Sequence, residues 1–336
     1  MSTEQTHAPT AAAQAAEAPP PSGRRRWNPA NWVLVLILLG LFLLCLAAIP
    51  QFRSWGLIAG MLNSQSIILL LALVATVVLR SGGFDLSIAQ TMVASAAVTI
   101  VLSKAGLPLF ASMLVALLLG LAVGALNAFL VVRVGVDSFV TTLGSYSALA
   151  GFCYFVTGSS IISGAPAELV GVVRAPILGI PAAAWFAWGL AVVLWYVYEK
   201  TPLGRYLLFI GGNPAAARLA GIRVERIRVG AYLASGVLAA LVGQVFLGWF
   251  GSVDPGVGAQ FMLQPLAAAF LGTTAMVLGR FNAFGTLIAV YLLIVGITGL
   301  QVLGAPTWVT NVFYGVALMV AVTAAKIADR RRRRAS

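Results

Sequence analysis

The feature that most limits what this chain can become is the recurrence of long apolar stretches, among them 56–79, 107–132 and 229–250. A run of ~20 apolar residues spans the hydrocarbon core of a bilayer as a helix. In hydrocarbon every backbone N–H and C=O must be paired internally, so only helices or closed barrels cross. A barrel would need alternating strands of about ten residues, and no such alternation is present. The chain therefore reads as an all-α integral membrane protein. Composition agrees: 60% of the 336 residues are hydrophobic and only 9% are charged, against roughly a quarter in soluble domains.

The spans are predicted at 32–49, 56–79, 84–103, 107–132, 136–157, 182–199, 229–250, 259–279, 282–304 and 307–326. That makes about ten transmembrane helices in one membrane domain, 32–326, with no room for a soluble catalytic domain. An even number places both termini on one side. With both termini cytoplasmic, all of the 21 Lys and Arg except Arg53, Lys104 and Arg174 face the cytoplasm, as the positive-inside rule requires. The net charge of +12 is then a property of loops and tails, and implies no nucleic acid. Residues 1–31 are expected to be a disordered cytoplasmic tail, and 327–336 a basic one. Segment 158–181, broken by Gly and Pro, is placed outside with a short half-inserted helix. Gly251–Gly258 is expected to be a flexible outer loop.

Several chemistries are missing. The three lysines follow Ser103, Glu199 and Ala325, so there is no Gly-Lys pair for a phosphate-binding loop. The chain should not hydrolyse ATP by itself. Asp85, Asp137 and Glu199 sit near predicted inner edges, Glu168 and Asp254 in outer loops, and Glu225 in a central loop. An ion-coupled transporter usually keeps a carboxylate inside the membrane. The single histidine, His7, lies in the N-terminal tail, and Cys45 and Cys153 lie in spans. Neither a metal site, nor a disulfide framework, nor an embedded hydrolase is implied. No cofactor is expected in this chain.

Amides are then the main polar groups within the spans. Asn63, Gln65, Gln244, Gln264, Gln301 and Asn311 fall in outer halves or ends, and Gln90 and Asn127 nearer the inside. An amide both donates and accepts, which suits a neutral polyhydroxylated solute. Asn63, Gln65, Gln90, Asn127, Gln244, Gln264 and Asn311 are therefore the candidates for a substrate pathway. The same amides also serve as hydrogen bonds between helices. Gly120-x-x-x-Gly124 reads as a close helix contact. Asp85, after Gly82-Gly83, reads as a structural acceptor for amides at the start of the next helix.

The longest basic stretch between spans is 200–228. It holds a short helix with both ends marked. Asn213 is a good N-cap, Pro214 fits the first helical position, and Gly221 can take the left-handed conformation that ends the Ala-rich run 215–220. Such a helix on a basic loop suggests a docking surface.

Three segments carry a family resemblance: SGGFDLSIA at 81–89, FVTTLGSYSALAG at 139–151 and LGRYLLFIGGNPAAARLAGIRVERIRV at 203–229. They resemble ribose-type monosaccharide permeases of ATP-binding cassette importers, within the superfamily serving branched-chain amino acids and sugars. The likeness runs from about residue 55 to 325. It implies a type II-like importer permease fold and a second permease copy or paralogue. It also implies a cytoplasmic ATPase subunit carrying ATP and Mg, and a periplasmic or lipid-anchored solute-binding protein. By the same resemblance Asn213–Ile222 is the coupling helix, and Gly204, Arg205, Gly211, Gly212, Asn213, Pro214, Ala216, Ala217, Gly221 and Ile222 form the ATPase-coupling loop. The chain departs from the family pattern at Gln264-Pro265, where an acidic residue is usual. The implied function is ATP-driven uptake of a monosaccharide or small polyol across a bacterial plasma membrane. Branched-chain amino acids, furanose autoinducers or nucleosides are the alternative solutes, and an ion-driven secondary transporter the alternative class.

Overall fold

The computed structural model describes residues 32–335, and their side chains as far as Thr323. The expected tail at 1–31 and the side chains of the basic stretch 327–336 lie outside the described residues. Helices dominate: α1 (Val33–Ala48), α2 (Trp55–Ser64), α3 (Ser66–Leu79), α4 (Ile88–Lys104), α5 (Leu109–Ala128) and α6 (Ser138–Thr157) come first. A two-residue strand β1 (Ile162–Ser163), α7 (Ala167–Arg174), and the strands β2 (Pro176–Ile177) and β3 (Ile180–Pro181) follow. Then come α8 (Ala182–Lys200), α9 (Pro202–Gly212), α10 (Pro214–Leu219), α11 (Val224–Phe250) and β4 (Ser252–Val253). The chain closes with α12 (Gln260–Gly272), α13 (Ala283–Val302) and α14 (Trp308–Ala335).

Among the described residues, six stretches are long and apolar enough to cross a membrane: Trp55–Leu79, Leu109–Val134, Ser138–Thr157, Ala182–Lys200, Val224–Phe250 and Ala283–Val302. Shorter apolar helices at Val33–Ala48, Ile88–Lys104, Val257–Gly272 and Trp308–Thr323 fall on the remaining expected spans. The fold is the all-α membrane fold that the apolar pattern predicts.

The helices arrange themselves by side-chain size. Every residue of α3 is buried, as is α4 from Ile88 to Ile100. Large apolar residues such as Leu36, Phe110 and Phe155 point outward, where lipid replaces protein as their neighbour. α11 is the longest helix whose side chains are all described, and it packs against α3, α4, α5 and α7. Its approach to α5 is very close. A Cβ on Gly236 would run into the Gly120 carbonyl, and one on Gly124 into the Tyr232 carbonyl. With lipid as apolar as any side chain, helix association draws on the close van der Waals packing that such backbone proximity allows. The Gly120-x-x-x-Gly124 pair is thus a helix contact, as its spacing suggests.

Two predicted boundaries and one predicted loop are corrected. The span expected at 84–103 begins as a helix only at Ile88. Residues 84–87 are held non-helical because helix α6 takes their amides: Phe84 N donates to Ser138 Oγ at 3.1 Å and Leu86 N to Thr142 Oγ1 at 3.1 Å. The span expected at 56–79 matches Trp55–Leu79, with a one-residue turn at Gln65 inside it. The span expected at 259–279 stops at Gly272. There the Asn282 side chain joins two helix ends: its Oδ1 caps α13 by accepting from Gly285 N at 2.6 Å, and its Nδ2 donates to the carbonyls of Gly272 and Ala275. The Gly251–Gly258 stretch is not a free loop. Val253 pairs with Ile162 and is fully buried, and the Pro255 carbonyl accepts from Gln90 Nε2 at 3.1 Å. The short helix expected within 158–181 is α7, which lays Leu169 and Val173 against the bundle.

Replacing Gly236 with Leu puts a branched side chain where two backbones touch. Overpacking of this kind costs about 1–3 kcal/mol. The Gly236→Leu protein should unfold at a clearly lower temperature in detergent micelles, and an unchanged midpoint would contradict the α5–α11 contact.

Candidate coupling site and polar interior

One end of the bundle carries Arg80, Arg133 and the whole of 200–228. At this basic end, Thr201 and Pro202 start α9, and α9 ends on Asn213, which starts α10. Asn213 Oδ1 accepts from Ala216 N at 3.0 Å. Pro214 takes the first helical position. Gly221, at φ +77°, closes the helix, and Ile222 N returns to the Ala217 carbonyl at 3.0 Å. A six-residue helix is too short to persist by itself. This one is held by its caps and by Ala217, buried against Ile210 and Val224. Ile222 is half-buried beside that cluster, and Ala216 is also half-buried. The other face is bare: Asn213 and Pro214 are exposed, and Leu219 is 92% exposed.

The two helices are fastened to the bundle by close backbone contact. Gly211 sits on the turn after α3, where a Cβ would meet the Arg80 carbonyl and Gly82 N. Gly204 is pressed equally closely onto the carbonyls of Val197 and Tyr198. Arg205 and Gly212 remain exposed.

Arg80, which the sequence marked only as a positive charge at an inner edge, is the centre of this end. Its side chain is 4% exposed. Nη1 donates to the Phe281 carbonyl at 2.6 Å, Nε to Gly204 at 3.4 Å and Nη2 to Tyr198 at 3.3 Å. The guanidinium lies 4.4 Å over the Tyr198 ring, and Glu199 stands 4.0 Å away. Burial pushes the Arg80 pKa below its ordinary value; Tyr198 and Glu199 oppose this and Arg280 adds to it. A guanidinium keeps its proton regardless. The signal available in the sequence was an arginine set directly between an apolar run and Ser-Gly-Gly.

From the Arg80–Gly83 turn the chain enters Phe84–Ser87, where four helices converge. Asp85 Oδ1 accepts from Ser87 N at 3.1 Å and Ser87 Oγ at 2.6 Å, and Oδ2 accepts from Ser235 Oγ at 2.7 Å. Asn127 Nδ2 donates to Ser87 Oγ at 2.9 Å, and Ser145 Oγ donates to Asn127 Oδ1 at 2.6 Å. Tyr232 Oη donates to the Phe84 carbonyl at 3.1 Å. The structural reading of Asp85 holds, with α11 as an added partner.

The amides proposed for a pathway divide into three groups. Gln90, Asn127 and Gln244 are buried and hydrogen-bonded, Gln244 Nε2 reaching Ser95 Oγ at 2.7 Å. Asn63 and Gln65 flank the α2–α3 break, buried with carbonyl oxygens that have no partner. Gln264 is half-buried beside Pro265, while Asn311 is exposed; Gln301, outside the candidate set, is exposed and bonded to Thr310 Oγ1 at 3.0 Å. The structure does not bring the seven into one site. Among the described residues no group of three or more His, Cys, Asp or Glu is placed to hold a metal.

The arrangement is a multi-pass helical membrane bundle with a short capped helix at its basic end. Residues 57–322 match the family described as "Branched-chain amino acid transport system / permease component", and the chain belongs to that family. Among similar proteins, the ribose import permease protein of Haemophilus influenzae is 31% identical over 281 residues, covering 82% of this chain and 86% of that one. The ribose import permease protein of Escherichia coli K12 is 30% identical, covering 90% and 96%. The autoinducer 2 import system permease protein of Salmonella paratyphi B is 30% identical, covering 83% and 82%. No solved structure matches.

Removing the Asp85 carboxylate orphans two hydroxyls and an amide. A buried donor left unpaired costs about 1–3 kcal/mol. Asp85→Ala should therefore lower the unfolding midpoint in detergent more than Asp85→Asn, which keeps one acceptor oxygen. Equal midpoints for the two variants and the wild type would contradict the network.

Proposed function

We propose that this chain is the permease subunit of an ATP-binding cassette importer in a bacterial plasma membrane, with both termini cytoplasmic. It takes up a monosaccharide or similar small polyol delivered by a periplasmic or lipid-anchored binding protein. ATP and Mg act on a separate cytoplasmic ATPase subunit, and a second permease copy or paralogue completes the pathway. The observation carrying this reading is helix α10, capped by Asn213, closed by Gly221 and bare on its outer face, in a chain matched over 57–322 by a transport permease family. An ATPase gripping that face would push on α9. Gly211 then bears on the Arg80–Gly83 turn, and through Phe84–Ser87 on α4. ATP shifts the bundle between outward and inward openings only by binding one arrangement better than the other.

Autoinducer-like furanoses are the second reading, because the autoinducer 2 relative is 30% identical where a ribose relative is 31%. The importer is tested by reconstituting the permease with its ATPase and binding protein and measuring uptake into vesicles. Uptake should need ATP and survive an ionophore; collapse with the ionophore while ATP is present would favour a secondary transporter. Gly221→Val forces a β-branched residue into a left-handed backbone, a strained conformation. That variant should insert normally, yet lose most ATP-driven uptake. Full uptake by Gly221→Val would remove α10 from the mechanism.

A further inference from the structure

Beside α10 lies a cavity of about 430 Å³, with Arg205, Leu208, Phe209, Gly212, Asn213 and Arg280 in its lining. The two arginines come from separate elements: Arg205 from α9, and Arg280 from the turn between α12 and α13. Both are exposed, and neither has an acidic partner among the described residues. Two cations lining one cavity repel each other, and an anion between them relieves that repulsion.

Their placement is not left to chance. The buried Arg80 donates to the carbonyl of Gly204, which precedes Arg205, and to that of Phe281, which follows Arg280. One guanidinium in the interior therefore ties together the two walls that carry the other two. The floor between them is apolar, with Phe209 43% exposed. A carboxylate seated there sheds water on one side, which strengthens its attraction to both guanidinium groups.

We infer that this cavity receives an acidic side chain of the ATPase subunit, with Arg205 and Arg280 as a paired clamp and Arg80 as the residue that sets its spacing. The inference rests on the importer reading and names the chemistry of its contact. The cavity is open and adjoins Gly212 and Asn213 at the start of α10, so a carboxylate on a subunit gripping α10 reaches the two cations directly. An anionic headgroup offers the same charge, and the test below separates the two by leaving anionic lipid out.

The test uses the full-length permease in detergent without anionic lipid, and the ATPase subunit that drives its uptake as the probe. Arg205→Glu combined with Arg280→Glu should weaken ATPase binding at least about tenfold, and the single Arg280→Gln should weaken it less. Wild-type binding should fall with added salt. Arg226→Glu, an exposed change outside the cavity, should alter binding by less than about twofold. The detergent elution profile of each variant reports its fold. Unchanged binding by the double reversal would overturn the clamp. So would an equal loss in Arg226→Glu, which means diffuse attraction, or a loss seen only in vesicles containing anionic lipid, which means headgroup contact. A wild type that shows no ATP-driven uptake would instead overturn the importer reading, before the clamp is at issue.

Discussion

The structure depends on pairing the backbone of Phe84–Ser87 without a helix. In a bundle of this kind a non-helical segment survives only where protein supplies the missing partners. Here α6 supplies Ser138 and Thr142 for two amides and α11 supplies Tyr232 for the Phe84 carbonyl, while Ser235 of α11 and Asn127 of α5 bond the segment's Asp85 and Ser87 side chains. The Asp85 carboxylate gathers the segment's own Ser87 and the α11 hydroxyl onto one group. Four helices are locked in register by one short stretch of irregular chain.

That stretch has mechanical neighbours at both ends. At one end the Arg80–Gly83 turn touches Gly211 of α9, and α9 leads directly into α10. At the other end α4 begins, and Gln90, two residues inside it, holds the Pro255 carbonyl from the far side of the bundle. A displacement of α10 therefore meets a continuous set of close contacts rather than a soft loop. Arg80 stiffens the basic end by joining the ends of α3 and α8, the start of α9 and the turn before α13 through three carbonyls. Close-packed interiors transmit displacement because they cannot absorb it locally.

Much of this was legible in the residues. The ten apolar segments, the caps of α10 and the Gly120–Gly124 contact follow from local rules of length, capping and side-chain size. So does the structural acceptor role of Asp85. Less legible was where the helices stop. The apolar run 259–279 continues past Gly272, and nothing nearby in the chain declares that Asn282 will cap both ends of the corner. The Gly251–Gly258 stretch looks like a loose connection until Ile162 and Gln90 are brought to it.

The amides show the same division. From sequence, Asn127 and Gln244 can be read as pathway residues or as helix ties, because an amide offers the same donors and acceptors to a solute or to a neighbouring helix. Which it meets is decided by what the fold places opposite it. The sequence by itself determined a helical membrane bundle and its capped basic helix, since hydropathy and capping act over a few neighbouring residues. Tertiary structure alone decided that Arg80 would bind carbonyls 118, 124 and 201 residues away, because partners that far apart in the chain meet only when the helices pack.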